Sequence, residues 1–239
     1  MKIIFVGDSL TKGRPGLSYV EMLQQQLPQH TIINYGKNGD SVVSLYYRMK
    51  KTPLEKNIDI AFLWVGINDV LTYIAEPWSL IPKIVLNQPW ARTKKEFHEY
   101  YQKILDLLHP NVHYIVTVSL LFIGEDITNK WNKQLEELSK IINTLSDPRQ
   151  NIHFLDLRKN FLLQYPSASP SEYTPSSWVL LFDGFLHKTP QEIDTKSKER
   201  KLHFTIDGVH LNSAGTHYIA EVFHDTITKL IQHKTREKT

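Results

Sequence analysis

The sequence predicts an α/β fold built on a parallel sheet. Short apolar runs alternate with segments of helical periodicity along most of the chain, the pattern of successive βαβ units. One run, Ile58 to Val65, is almost continuously apolar, as a strand buried on both faces must be. The first two runs end in turn-forming residues, Gly7-Asp8-Ser9 and Gly36, which stop a strand within a residue or two.

Taken in order, Lys2 to Val6 is the first strand. Ser18-Tyr19-Val20-Glu21 matches a capping box, and Val20, Leu23 and Leu27 share one face of the helix it opens. Thr31 to Tyr35 is the second strand, closed by Gly36. Val42 to Lys51 reads as a helix, Ile58 to Val65 as the third strand, and Asn68 to Ile74 as a short helix. Thr93 to Leu108 is a helix, Val112 to Ser119 a strand, Lys130 to Leu145 a helix, and Ile152 to Leu157 the fifth strand. The last helix, from about Ser213 to Ile231, carries Ile219, Val222, Phe223, Ile227 and Leu230 at helical spacing.

These elements make one domain over residues 1–232, followed by a polar tail at 233–239 that is expected to fray. Two stretches break the rhythm, at about 76–92 and 164–201, both rich in proline, serine and aromatic residues. Connections that long inside one domain are usually functional or mobile.

Composition narrows the function. The 239 residues are 41% hydrophobic and 22% charged, ordinary values for a globular protein able to bury a core. The net charge of +3 comes from scattered basic residues rather than a stripe, which argues against a nucleic-acid partner. The absence of cysteine rules out disulfides, thiolate metal sites and a cysteine nucleophile. Ile3 to Val6 is too short for a signal-peptide core, and nothing approaches the roughly 18 apolar residues of a membrane span. A cytoplasmic location without an integral membrane segment is the expectation; a mature form that has lost its leader is the alternative.

Chemistry is suggested by residues far apart in the chain. Ser9 stands at the carboxyl end of the first strand, where open α/β sheets bind ligands. A serine hydroxyl becomes a nucleophile only with a base in hydrogen-bond reach. Among 11 histidines, His210 is the best candidate, because Asp207 three residues earlier can orient its ring. A backbone N–H at Gly39, the side-chain amide of Asn68 and the Ser9 N–H are candidate donors to an oxyanion. Each of these residues alone would more often be a turn or a helix cap; the combination carries the argument.

Four blocks fall in the order of a known family: Gly7-Asp8-Ser9-Leu10, Gly36-Lys37-Asn38-Gly39, Gly66-Ile67-Asn68-Asp69 and Asp207-Gly208-Val209-His210. With them the chain resembles the SGNH hydrolases, also called the GDSL lipases and esterases, over almost its whole length. The resemblance implies a flavodoxin-like three-layer α/β/α sandwich with a five-stranded parallel sheet. It makes Ser9 the nucleophile, His210 the base and Asp207 its orienter, with Ser9, Gly39 and Asn68 as the oxyanion hole. Asp8 and Asp69 would organise the surrounding loops. Ile67 stands where the family often has Thr or Ser, and the 164–201 stretch is longer than a compact member needs.

The expected activity is hydrolysis of a small-molecule, lipid or sugar ester through an acyl-enzyme, with no cofactor and no metal. A carbohydrate O-acetylesterase, an acyltransferase using the same triad, or a non-catalytic binding module on the same fold are the alternatives. Trp178, Phe182 and Phe185, with Leu186, are candidates for a lid or an acyl-binding wall, or for simple packing of the insertion; Trp78 and Trp90 pose the same choice. A dehalogenase-type phosphotransferase would need a second Asp where Leu10 stands, and no Gly-x-Ser-x-Gly elbow surrounds Ser9. A dinucleotide site would need Gly-x-Gly-x-x-Gly after the first strand, which is absent.

Overall fold

The central strand β1 (Lys2–Gly7) is the most apolar segment near the N-terminus, and its Ile3, Ile4, Phe5 and Val6 are buried on both faces. The computed structural model describes residues 1–52, 54–74, 89–147, 150–164 and 189–236. In it β1 pairs in parallel with β2 (Thr31–Gly36) on one side and β3 (Ile58–Trp64) on the other. Strands β4 (Val112–Val118) and β5 (Ile152–Leu155) continue the sheet, giving the all-parallel order β2-β1-β3-β4-β5. That is the flavodoxin-like order, and its topological switch point lies between β1 and β3. The residues that follow those two strands, Ser9 and Asn68 among them, therefore border the crevice where such sheets place their ligands.

Helices cover both faces. On one side α2 (Tyr19–Gln26) packs against the long C-terminal helix α9 (Ser213–Arg236). Between them and the sheet sits an aromatic cluster: Phe5 stacks on Phe62 at 4.8 Å, and Phe223 of α9 lies 4.9 Å from Phe62 and 5.1 Å from Tyr19. The other layer contains α3 (Val42–Lys51), α5 (Lys94–Leu108) and α6 (Lys130–Thr144), packed side by side. Polar side chains start these helices: Ser18, Ser41, Thr93 and Asn129 each accept a backbone N–H from the first turn.

Two glycines let the site form. Gly7 and Gly36 are register partners at the carboxyl ends of β1 and β2. A Cβ on Gly7 would lie 2.3 Å from the Trp64 carbonyl oxygen, and one on Gly36 would lie 2.2 Å from the Lys12 nitrogen. Only hydrogens at these positions allow the one-turn helix α1 (Ser9–Lys12) to fold back over the strand ends. Asn34 holds it there, its Nδ2 donating to the Thr11 carbonyl at 2.8 Å.

The structure departs from the sequence reading at several elements. The fifth strand stops at Leu155, and Leu157 opens a helix, α7 (Leu157–Gln164), instead of closing the strand. Asp156 accepts the Lys159 N–H and Ser119 Oγ accepts the Arg158 N–H, so the new helix is capped from within and from β4's end. Pro190–Glu199 forms α8 inside the stretch read as a long connection, with Thr189 and Glu192 closing a capping box. The last helix runs on to Arg236, through residues assigned to a fraying tail. It is held there by His233 against the Tyr114 hydroxyl at 3.2 Å and by an ion pair between Lys234 and Asp59. The short helix α4 occupies Ile67–Ile74, one residue longer than expected. Among the described residues no helix is long and apolar enough to cross a membrane.

Candidate active site

Ser9 is the first residue of α1 and is nearly buried. Its turn is tightly closed. The Asp8 carboxylate accepts the Leu10 N–H at 3.0 Å, and the Gly13 N–H returns to the Ser9 carbonyl at 2.8 Å. Ser9 Oγ lies 3.0 Å from His210 Nε2, across 201 residues of sequence.

The histidine is held on its other side by Asp207, whose Oδ2 lies 2.6 Å from His210 Nδ1. Asp207 is fully buried, and its second oxygen accepts the Val209 N–H at 2.9 Å and the His210 N–H at 2.7 Å. A carboxylate oxygen can only accept, so Nδ1 carries the proton in this pair. Nε2 is then left as the acceptor for the Ser9 hydroxyl. The loop bearing both residues closes on itself: the Ile206 N–H donates to the His210 carbonyl at 2.8 Å, and Thr205 bridges Leu211 in antiparallel fashion.

A residue that the sequence reading did not single out anchors this loop. Glu125, buried between β4 and α6 in the chain, turns its carboxylate onto the segment just before Asp207. Oε2 accepts the His203 N–H at 2.7 Å; Oε1 accepts the N–H groups of Phe204 and Thr205 and the Thr205 hydroxyl, at 2.8, 3.0 and 2.9 Å. Beside it the Gly124 N–H donates to the Gly208 carbonyl at 2.7 Å. Nothing local marks Glu125 in the sequence, because every one of its partners is 78 to 80 residues away.

The two loops carrying the remaining candidates are joined to one another. Gly39 adopts φ 78°, a left-handed conformation that glycine takes without a steric cost. The next residue, Asp40, offers its backbone carbonyl to Asn68 Nδ2 at 3.0 Å, which ties the β2–α3 turn to the start of α4. Asp69 binds the same region from the other direction. Its Oδ2 accepts the Val42 N–H at 3.0 Å and its Oδ1 accepts the Ala91 N–H at 2.8 Å. The buried Asp40 carboxylate pairs with Arg48 Nε at 2.7 Å, and Arg48 also reaches the Tyr35 carbonyl at 2.9 Å.

Besides Asp207, three buried carboxylates, Asp8, Asp40 and Asp69, shape the electrostatics of the site. Burial pushes the Asp8 carboxyl up to about 7, opposed by the Leu10 N–H and His210 and reinforced by Asp40 and Asp69. Burial also raises Asp40 above its ordinary value, against the pull of Arg48. Among the described residues no group of three or more His, Asp or Glu side chains is arranged to hold a metal ion. Trp178, Phe182, Phe185, Leu186 and Trp78 lie outside the described residues, whereas Trp90 is placed beside α3 and α5.

The fold is that of the SGNH hydrolases, and beyond the strand ends a serine, a histidine and a buried aspartate are hydrogen-bonded in series. The chain belongs to the GDSL-like Lipase/Acylhydrolase family, whose model matches residues 5–217. It is accordingly a hydrolase acting on ester bonds. Among solved structures, the acetyl xylan esterase AlAXEase superposes with a TM-score of 0.64 at 24% identity, over 95% of this chain and 100% of that one. Axe2, an acetylxylan esterase from Geobacillus stearothermophilus, gives 0.65 at 18% identity over 93% and 91% of the two chains. LAE5, an alpha/beta hydrolase enzyme from the metagenome of Lake Arreo, Spain, gives 0.59 at 19% identity over 93% and 92%. At these identities the likeness establishes the shared fold. No curated protein matches the sequence significantly.

Proposed function

We propose that the protein hydrolyses an acyl ester through a Ser9–His210–Asp207 triad and an acyl-enzyme intermediate, in one catalytic domain interrupted at about 76–92 and 164–201. The observation that carries this reading is the 3.0 Å contact between Ser9 Oγ and His210 Nε2, with Nδ1 of the same ring fixed by Asp207. Ser9 Oγ attacks the ester carbonyl as its proton passes to Nε2. Asp207 stabilises the imidazolium that results. The oxyanion is met by the N–H groups of Ser9 and Gly39 and by the Asn68 amide. His210 returns the proton to the leaving alcohol; it then takes a proton from a water that attacks the acyl carbonyl and passes it to Ser9 Oγ as the acid departs.

The alternative acceptor is an alcohol, which makes the enzyme an acyltransferase without any change in the triad. An O-acetylated carbohydrate is the more specific substrate reading; it is supported by two solved neighbours that are acetylxylan esterases.

The test is hydrolysis of p-nitrophenyl acetate by wild type and Ser9→Ala, alongside intact-mass detection of a fluorophosphonate adduct. Hydrolysis and adduct present in wild type and absent in a folded Ser9→Ala protein are expected. An adduct on another residue, or undiminished turnover in the variant, overturns the proposal.

A further inference from the structure

The three proposed oxyanion donors follow three different strands, so their mutual placement depends on what joins the strand ends. Arg48 of α3 stands at that junction. Its Nε donates to the Asp40 carboxylate at 2.7 Å, and its Nη2 donates to the Tyr35 carbonyl at 2.9 Å. The same Nη2 lies 3.4 Å from the carbonyl oxygen of Gly7, two residues before Ser9. One guanidinium thus reaches the carboxyl ends of β1 and β2 and the turn that follows β2.

Asp40 passes this placement on. Its side chain is 1% exposed; Oδ2 takes Arg48, and Oδ1 accepts the Ser44 hydroxyl at 3.0 Å. The Asp40 N–H donates to the Lys37 carbonyl at 3.2 Å, which closes the turn around Gly39. The Asp40 backbone carbonyl in turn accepts one hydrogen of the Asn68 amide at 3.0 Å. An amide NH₂ is planar and carries two hydrogens, so that bond sets the direction of the second one.

From these contacts we infer that Arg48 is a positioning residue for the oxyanion hole, acting through Asp40 on Gly39 and Asn68. The inference rests on the serine-hydrolase reading and adds a residue to its site. A guanidinium suits the task because its donors point in fixed directions in one plane, holding a carboxylate and a carbonyl at a set separation. An ammonium would bring the same charge as a single rotatable point. Stability alone accounts poorly for the pair, since the desolvation of buried charges offsets most of their attraction. What the pair does fix is geometry, and a misplacement of about 1 Å in a catalytic group can cost on the order of 10² in rate.

The experiment measures kcat and KM for p-nitrophenyl acetate in wild type, Ser9→Ala, Arg48→Lys, Asp40→Asn and Asn68→Ala, and in Asn68→Ala combined with each of the two preceding changes. Urea unfolding of each protein shows that it is folded under assay conditions. Arg48→Lys keeps the charge and most of the volume, so it tests placement rather than charge balance. It is expected to lower kcat tenfold or more while KM stays within twofold. Asp40→Asn loosens the same link from its other end and should reproduce that loss. In the Asn68→Ala background either change should lower kcat threefold at most, because the amide it places is gone. A purely structural role would give the same fold loss in both backgrounds. That result overturns the positioning role, as does a smaller kcat loss than expected in either single variant or a KM change as large as the kcat change. Each of these leaves the serine mechanism standing. Hydrolysis that is absent in wild type, or undiminished in Ser9→Ala, removes the mechanism and the role of Arg48 with it.

Discussion

Glu125 holds Thr205 by two hydrogen bonds to one oxygen, from the Thr205 N–H at 3.0 Å and from its hydroxyl at 2.9 Å. The same hydroxyl accepts the Gly208 N–H at 3.1 Å, inside the Asp207–His210 loop. A path of three residues therefore links a buried carboxylate after β4 to the loop that presents His210.

Glu125→Gln tests that path with almost no change of volume. All four groups around the carboxylate are donors to it, so whichever way the amide turns, its NH₂ faces another donor. The expected cost is about 1–3 kcal/mol of stability, the typical penalty for a buried group left unpaired. The 203–205 segment should also loosen, so kcat for p-nitrophenyl acetate should fall at least fivefold at saturating substrate while KM changes less than twofold. Glu125→Asp, which keeps the charge, should recover part of kcat. A variant with lowered stability and unchanged kcat would reduce Glu125 to a fold determinant.

How far the sequence reaches is clear from these same residues. The inner strands were legible because both of their faces are buried, which leaves continuous apolar runs, as in Ile3 to Val6. The blocks containing Ser9, Gly39, Asn68 and His210 were legible because each holds its own turn chemistry within a few residues. Glu125 was not, since its meaning lies entirely in contacts made 78 to 80 residues later. The end of β5 was misread because Leu155 and Leu157 both look like strand; only Asp156 capping the next helix decides between them. Helix α8 was hidden by the proline-rich stretch around it, although Thr189-Pro190-Gln191-Glu192 is a local start signal that could have been read.

Asp8 yields a prediction about pH. Its carboxyl is held near 7 in the folded protein, above the ordinary 3.8. Between these values the folded state keeps a proton that the unfolded chain has released. The stability associated with that proton is fully present below about pH 3.8 and is lost as pH climbs through about 7. Asn at this position cannot ionise, yet its oxygen can still accept the Leu10 N–H. Asp8→Asn should therefore gain stability relative to wild type as pH rises from 4.5 to 8, measured by urea unfolding at each pH. Parallel stability curves for the two proteins would show that Asp8 does not titrate in this window.

Asn68 has two tasks that can be separated. Its amide ties the Asp40 carbonyl and is a proposed oxyanion donor. Asn68→Ala should lower kcat by about 10²–10³, the usual cost of one oxyanion-hole donor. KM should move little, because the donor acts on charge that develops after binding. If the tie to Asp40 were its whole contribution, the variant would lose stability and keep its rate.

Asp207→Asn is the sharpest test of the triad, because the surroundings dictate how the amide must sit. The oxygen at Oδ1 accepts two backbone N–H groups, from Val209 and His210. Turning the NH₂ to that side would set it against both donors, so the amide nitrogen is forced to face His210 Nδ1. That nitrogen can then only accept, and the proton moves to Nε2, the atom that must receive the proton of Ser9. The histidine is locked in the wrong tautomer by hydrogen bonds that have nothing to do with the substrate. The expected loss is about 10⁴ in kcat near neutral pH, with the fold and KM preserved. It should ease at high pH, where hydroxide can take over as base. Retention of more than a tenth of wild-type kcat in Asp207→Asn at pH 7 would mean that His210 does not work through Nε2 as proposed.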